Sequence, residues 1–311
     1  MQRTESFDIL KGFGIIFMIV AHTYGPNYLI WDFISAFHMP LFFIVAGYFY
    51  KQKSITEQLK KNYKQLIVPY ITICIIVIIL TQIRQPHSFK TDISSSLYGM
   101  GPGWFLLAMF WARIEFFYIQ KAIPNHYFVA SLTISTCICL IAYNYGVSSF
   151  LYLFVSPACL VFMAVGYYVR EHQLLPYLKN PPFLFICLSI ALWFITSIWG
   201  KVLLHQCYFK LSIIDFAGSI AGTFLFFTLS NVIAQHDFYL KNVLSAAGRY
   251  SLVILFFHSI DYCVPVWYLI IPYLPSSLLI PTILVIRFLF VTMCVVITLH
   301  IKWLRLFFRI K

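Results

Sequence analysis

Long apolar runs that recur along the whole chain are the feature that most limits what it can fold into. Runs of about 17 to 22 residues, nearly free of charge, follow one another throughout the sequence, and a helix of that length crosses the roughly 30 Å hydrocarbon layer of a bilayer. Of the 311 residues, only 10% are charged, whereas soluble domains carry about 25%. The sequence therefore predicts an integral membrane protein and excludes a water-soluble domain.

Proline, glycine and charge clusters punctuate the apolar runs and divide them into spans. We place these spans, within a few residues, at 8–26, 33–50, 66–83, 103–119, 127–144, 150–169, 183–200, 211–233, 250–271 and 281–300. One membrane domain, 1–311, accounts for all of them. The predicted fold class is an all-α integral membrane protein, a bundle of about ten transmembrane helices.

The distribution of Lys and Arg orients the spans, because cytoplasmic loops of membrane proteins carry an excess of both. With the N-terminus inside, sixteen of the 22 fall on the cytoplasmic side and four in outer loops, while Arg113 and Arg287 lie within spans. Both termini are therefore predicted to be cytoplasmic. The net charge of +12 is mostly this topology signal, and the basic loop 51–64 and tail 302–311 are expected to attract anionic membrane lipids.

Two kinds of ligand lack support in the sequence. The eight cysteines are scattered singly, with no C-x-x-C and no Cys/His cluster at metal-ligand spacing, so no metal site is predicted. No basic stripe with interleaved aromatic residues lies on a soluble element, which argues against nucleic acid as a partner.

Ionisable residues within the spans are candidates for function, because charge is costly in the bilayer. Lys11 and His22 are eleven residues apart in the first span, which puts both on one face of a helix, roughly 16 Å apart along its axis. Lys11 is expected near the cytoplasmic surface, where Asp8 can pair with it at i, i+3 spacing. The alternative is a snorkelling lysine and a histidine that is merely hydrogen-bonded in the core.

Further polar residues lie at comparable depths in other spans. His38 opens the second span at about the depth where His22 ends, so we expect the two imidazoles to share one chamber. Asp32 can orient an imidazole by accepting its second N–H, or it can be a solvated loop residue. Asp261 and Arg287 are expected to neutralise each other inside the bundle.

Three segments, taken in order, resemble the acyltransferase-3 family of integral membrane acyltransferases, nearest to its fucose 4-O-acetylase-like branch. The first is Phe7-Asp8-Ile9-Leu10-Lys11-Gly12 followed by His22, which is similar to the family's basic-x10-His helix. The second is Phe37-His38-Met39-Pro40-Leu41-Phe42-Phe43 with Gly47. The third combines Gly101-Pro102-x-Trp104-Phe105-Leu106 with Gly248-Arg249-Tyr250-Ser251 and Phe257-His258.

The chain departs from the family pattern at several positions. Lys11 stands where many members have Arg, and the basic R-x-x-R before the third span reads Lys61-x-x-Lys64 here. A lysine keeps the charge but lacks the bidentate fork of arginine for phosphate. In another branch a Glu follows the motif tryptophan by five residues, whereas this chain has Met109 there.

On the donor side, the resemblance implies O-acyl transfer, and O-acetyl transfer in particular, from cytoplasmic acetyl-CoA. Lys11, Lys61 and Lys64 would bind the CoA phosphates as point charges. His22 would deprotonate the acceptor hydroxyl or carry the acetyl group itself, and His38 would assist as a second base or as an orienting donor.

On the acceptor side, the resemblance implies a hydroxyl of a cell-surface glycan or of its lipid-linked precursor, reached from the inner membrane of a bacterium. Trp104 would stack on a sugar face, while His258 and Asp32 would contact the acceptor. Packing alone is the alternative for His38 and Trp104, and for His258 a structural role accounts equally well.

A rival interpretation is a multi-span transporter or flippase, in which the intramembrane His, Asp and Arg residues form a proton or substrate pathway without covalent chemistry. It explains the buried charges equally well. It does not explain why Lys11 and His22 share one helix face, or why Lys61 and Lys64 are expected on the same side of the membrane as Lys11. A purely structural membrane subunit would leave the intramembrane ionisable residues without a purpose.

Overall fold

The computed structural model of the chain describes residues 5–84, 101–146, 150–265, 267 and 271–310. Two-residue strands β1 Val202–Leu203 and β2 Tyr208–Phe209 pair antiparallel. Most of the other elements are helices, which we number in chain order: α1 Glu5–Tyr24, α2 Leu29–Ser35, α3 His38–Tyr48, α4 Ile55–Asn62, α5 Val68–Arg84, α6 Trp104–Ala122, α7 Tyr127–Tyr145, α8 Leu160–Glu171, α9 Leu175–Lys179, α10 Phe183–Ile198, α11 Ile213–Ala234, α12 Tyr239–Arg249, α13 Ser251–Cys263, α14 Ser276–His300 and α15 Lys302–Phe308.

Seven helical segments in the described part of the chain are long and apolar enough to cross a membrane. The bent pair of α12 and α13 makes an eighth if it counts as one span. α10 is apolar but has only 16 residues, and α6 carries Arg113, Glu115 and Lys121 within its 19 residues. The prediction of an all-α membrane protein is confirmed, whereas the number of ten spans and the cytoplasmic placement of both termini stay predictions.

The predicted span at 33–50 is broken into two helices, α2 and α3. Phe37, at the junction, leaves helical geometry with φ −137° and ψ −24°. Pro40 explains the break, because in a continuous helix its ring would clash with the carbonyl of Ala36, whereas the first turn of a new helix needs no N–H from it. The break makes His38 the first residue of α3.

The predicted span at 66–83 belongs to a longer helical segment, Ile55–Arg84, which passes through a π-helical turn at Tyr63–Ile67. Here the N–H of Val68 donates to the carbonyl of Tyr63, one residue further back than in an α-helix. The next residue is Pro69, whose ring would crowd the carbonyl four residues earlier in a regular α-helix. The wider π-helical turn makes room for this ring.

Apolar side chains cover the outside of the bundle. In α7 and α14 only 22% and 28% of the apolar window is buried, against 61% in α1 and 67% in the segment Phe150–Glu171. Phe183 and Leu184 on α10 are 81% and 68% exposed. A surface of this kind fits lipid rather than water. The chain is therefore an integral membrane protein with α1 and α8 near its centre.

Glycines let the central helices approach to backbone contact. A methyl group at Gly12 of α1 would overlap the carbonyl of Leu244 on α12, and one at Gly248 would overlap the carbonyl of Asp8. Small residues at such crossings are typical of membrane helices. Because α12 and α13 are bent by 75° at their junction, α12 packs along the first half of α1 while α13 reaches its second half.

Candidate active site

A cavity of about 700 Å³ lies at the end of the bundle where α1 begins. No carboxylate in the described part of the chain lines it, although Asp8 pairs with one of its lysines at 2.8 Å and Glu57 with another at 3.3 Å. A surplus of positive charge remains, which suits a polyanionic ligand. Seven cationic side chains line this basic cavity: Lys11, Lys51, Lys53, Lys61, Lys64, Arg113 and Arg309.

The structure brings together the three lysines that were predicted to bind the donor. Lys11, Lys61 and Lys64 all line the basic cavity, and the predicted ion pair between Asp8 and Lys11 is present. The π-helical turn at Tyr63–Ile67 is part of the same wall. Their role in binding a donor stays a prediction.

The basic cavity extends into the bundle along one face of α1. Lys11, Ile15 and Met18 line it in succession, which corresponds to a depth of roughly 10 Å at the rise of an α-helix. The next residue on this face, four positions on, is His22. The expectation that Lys11 and His22 share one helix face therefore agrees with the cavity lining.

Two further helices lead from the cavity wall to a histidine. Met39 of α3 lines the basic cavity and is the neighbour of His38. Leu255 of α13 lines it as well, and His258 lies one turn further along the same face. The inner end of the basic cavity is thus surrounded by histidine-bearing stretches of α1, α3 and α13.

His22 and His258 form a hydrogen-bonded pair. Nδ1 of His22 lies 3.0 Å from Nε2 of His258, and the rings stack with centroids 5.3 Å apart. The rings of Trp31 and Tyr262 flank His22 at centroid distances of 5.8 and 5.0 Å. His258 is fully buried while His22 is half-buried, so His22 is the reachable member of the pair.

Two buried nitrogen atoms beside this pair lack a hydrogen-bond partner within the described residues. They are Nδ1 of His258 and Nε1 of Trp31. Buried polar atoms in proteins are nearly always hydrogen-bonded, so each such exception asks for a physical explanation.

His38 is buried at the start of α3. Its Nδ1–H donates to the carbonyl of Ile34 at 2.8 Å, which leaves Nε2 as the acceptor of the neutral ring. His38 lies within electrostatic range of His22, as expected for residues of one chamber, but the hydrogen-bond partner of His22 is His258. The catalytic roles of His22 and His38 stay predictions.

Arg287 and Asp261 form a buried ion pair beside the histidines. Nε of Arg287 lies 3.0 Å from a carboxylate oxygen of Asp261, with the two side chains 4% and 2% exposed. Arg287 also donates from Nη1 to the hydroxyl of Thr23 at 3.0 Å, and its guanidinium lies over the ring of Trp267 at 5.0 Å. The predicted neutralisation is confirmed, and the pair ties α13 and α14 to the end of α1.

Asp32 is not brought to an imidazole in the described structure. Its Oδ1 is buried without a hydrogen-bond partner among the residues described, while the Nδ1 atoms of His22 and His38 are engaged elsewhere. The expectation that Asp32 orients a histidine therefore receives no geometric support. Its carboxylate remains available to a bound molecule.

Trp104 starts α6, and the basic cavity extends along this helix from Arg113 to Phe105, the residue next to Trp104. Its ring packs against Tyr152 and His205 at centroid distances of 5.4 and 6.0 Å. These two residues line a second cavity of about 470 Å³, together with Ala142, Tyr143, Gly146, Gln206 and Tyr208. His205 also lies within electrostatic range of His22, so this aromatic cavity lies in the neighbourhood of the histidine pair.

Arg113 is one of four cationic cavity residues that the sequence analysis did not assign to the donor site, and it was assigned only to the interior of a span. Its Nη1 donates to Oδ1 of Asn62 at 3.1 Å, which ties α6 to α4. A signal existed: Leu106, Met109 and Arg113 follow helical spacing on one face, and all three line the basic cavity.

An all-α membrane bundle in which a cation-lined cavity leads towards a histidine pair has the charge to accommodate an anionic ligand near those imidazoles. Residues 4–301 match the family model of acyltransferase-3, described as an acyltransferase domain. The match covers most of the chain, so the chain belongs to the acyltransferase-3 family and is a membrane acyltransferase. No curated protein and no solved structure matches it.

Proposed function

We propose that this protein is a membrane O-acetyltransferase of the fucose 4-O-acetylase-like branch. It moves an acetyl group from cytoplasmic acetyl-CoA to a hydroxyl of a cell-surface glycan or its lipid-linked precursor in the bacterial inner membrane. The observation that carries the proposal is the basic cavity, which follows one face of α1 from Lys11 to Met18, one turn before His22.

The basic cavity supports an acyl-CoA donor. CoA bears several phosphates, and the cavity offers seven cations and no lining carboxylate within the described chain. Ionised donors make the stronger hydrogen bonds to phosphate oxygens. The deeper lining is apolar, with Ile15, Met18 and Leu255, which suits the pantetheine arm and directs the thioester towards the histidines.

In the proposed reaction, the acceptor hydroxyl oxygen attacks the thioester carbonyl carbon and the carbon–sulfur bond breaks. Nε2 of His22 takes the hydroxyl proton and returns it to the departing CoA sulfur, so that an ester and free CoA form. The alternative order forms an acetyl-His22 intermediate first and transfers the acetyl group in a second step. His38, with its Nε2 unprotonated in the neutral ring, is the second base within range.

The aromatic cavity supports a sugar acceptor. Tyr143, Tyr152 and Tyr208 offer ring faces and hydroxyl groups, and Gln206 offers amide donors and acceptors, as carbohydrate sites require. Trp104 lies behind this wall rather than in its lining. The buried, unpartnered Oδ1 of Asp32 is suited to accept from a sugar hydroxyl.

The test uses purified full-length protein in lipid nanodiscs with radiolabelled acetyl-CoA and candidate glycans. Labelled ester is expected with the wild-type protein and none with His22→Ala, which should retain its fold. His300→Ala, at an exposed histidine outside the cavity, is the matched control and should retain activity. The proposal is contradicted if the wild-type protein forms no labelled ester, or if His22→Ala is as active as the wild type. Movement of an unmodified substrate across the bilayer would favour the transporter.

A further inference from the structure

We propose that the indole N–H of Trp31 binds the oxyanion that forms when the thioester carbonyl is attacked. The inference rests on the proposed function and assigns a catalytic role to Trp31. Nothing in the sequence pattern suggested that role, because Trp31 lies in the short helix α2 beside other aromatic residues.

Trp31 is suited to this role because its Nε1–H can only donate. The ring lies 5.8 Å from that of His22, and Nε1 is buried without a partner among the described residues. Other tryptophans in the chain satisfy the same atom: Trp111 donates to the carbonyl of Leu151 at 3.1 Å and Trp193 to that of Phe33 at 3.1 Å. The unsatisfied donor of Trp31 thus lies beside the base, whereas the indoles of Trp111 and Trp193 have protein partners.

The tautomers of the histidine pair make His22 the base beside this donor. One proton is shared between Nδ1 of His22 and Nε2 of His258. If His22 is to accept a proton at Nε2, its Nδ1 must carry the shared proton and Nε2 of His258 must accept it. The neutral His258 ring then carries its own proton at Nδ1, the atom that is buried and unpartnered. His258 thereby fixes the basic tautomer of His22, and its own Nδ1–H lies on the side of the ring turned away from His22.

An unpaired donor beside a base matches what acyl transfer requires. When the hydroxyl oxygen attacks, the π electrons of the carbonyl move onto its oxygen, and they return when the carbon–sulfur bond breaks. Preorganised N–H groups stabilise that transient charge most effectively in a water-poor site. Leaving this donor unsatisfied in the resting protein destabilises the fold, and the transition state restores its hydrogen bond.

Hydrolysis of acetyl-CoA without an acceptor passes through the same oxyanion, so the experiment does not depend on knowing the glycan. Trp31→Phe keeps the ring and removes the N–H. We expect kcat to fall by about 10²-fold or more, with little change in the KM for acetyl-CoA. Thermal stability should be unchanged or raised, because no hydrogen bond of the resting protein is lost. Trp111→Phe is the matched control: it should lower the melting temperature, because it deletes a made hydrogen bond, and leave kcat nearly unchanged.

The possible outcomes separate the two proposals. A wild-type protein that neither hydrolyses acetyl-CoA nor forms ester refutes the proposed function, and this inference fails with it. An active wild-type protein with a Trp31→Phe variant of equal kcat refutes the inference alone. A Trp31→Phe variant that loses stability and activity together, as expected of a packing residue, refutes it as well.

Discussion

Gly12 on α1 and Gly248 on α12 face each other so closely that a methyl group on either would overlap a carbonyl of the opposite helix. Both belong to segments by which the chain resembles its family. Their contact gives a physical reason for glycine at these two positions. The crossing fixes the start of α1, and with it Lys11, against the helix that leads into α13.

Gly248→Ala is expected to destabilise the protein by about 1–3 kcal/mol, since an added methyl in a packed contact forces backbone shifts. The melting temperature of the purified protein measures this effect. Gly103→Ala is the matched control, because its nearest neighbour, the Tyr70 ring, would lie at an ordinary contact distance of 3.5 Å. Equal melting temperatures for the two variants would contradict the proposed close contact.

Lys61→Ala and Lys64→Ala are each expected to raise the KM for acetyl-CoA by about tenfold, the effect of losing one charge-assisted phosphate contact. The kcat should change little, because the lysines lie at the cavity mouth. Lys121→Ala, an exposed lysine on α6 outside the cavity, should leave the KM unchanged. An unaltered KM in all three variants would remove the two lysines from the donor site.

Asp261→Asn is expected to destabilise the protein by about 3–5 kcal/mol, because it leaves Arg287 buried without its counter-charge. The double variant Asp261→Leu, Arg287→Met should recover most of this loss, since it removes both charges from the apolar interior. Melting temperatures of the single and double variants test the idea. Glu57→Gln breaks the exposed pair with Lys53 and should cost less than about 1 kcal/mol. A double variant less stable than the single one would contradict the prediction.

His205 gives a pH dependence whose sign is fixed by its burial. Burial lowers the pKa of His205 below its ordinary value, so the unfolded chain binds a proton there at a higher pH than the folded chain. The stability contribution is fully present above about pH 6.5 and is lost as the pH falls towards the folded pKa.

His205→Gln should therefore flatten the decline in melting temperature between neutral and mildly acidic pH. His236→Gln, at an exposed histidine, serves as the control and should follow the wild-type curve. A wild-type curve that stays level across this pH range would show that His205 does not contribute.

Much of the fold was accessible from the sequence, because hydropathy and helical period report on single helices. The apolar runs and the pairing of Asp8 with Lys11 depend on short spacings in the sequence. The pairing of Asp261 with Arg287 depends on their similar depth alone. The breaks in the second and third spans were not foreseen, although Pro40 and Pro69 mark both. A proline shows that a helix must change there, but not whether it stops or widens into a π turn.

The candidate site was less accessible, because its contacts join distant parts of the chain. His22 and His258 are 236 residues apart, and their meeting depends on the bend between α12 and α13. The sequence predicted His38 as the neighbour of His22, because it lies at matching depth in the next span. The hydrogen-bond partner of His22 is instead His258. Trp31 went unnoticed because an unsatisfied N–H is visible only once all neighbours are in place.

The absence of lining carboxylates in the described part of the basic cavity has a consequence for turnover. Acetyl transfer leaves every phosphate of the donor unaltered, so spent CoA meets the same cations as the fresh thioester and is released no more readily. For a donor of the proposed kind, free CoA is then a competitive inhibitor of comparable affinity. The enzyme would then respond to the ratio of acetylated to free CoA rather than to the acetyl-CoA concentration alone.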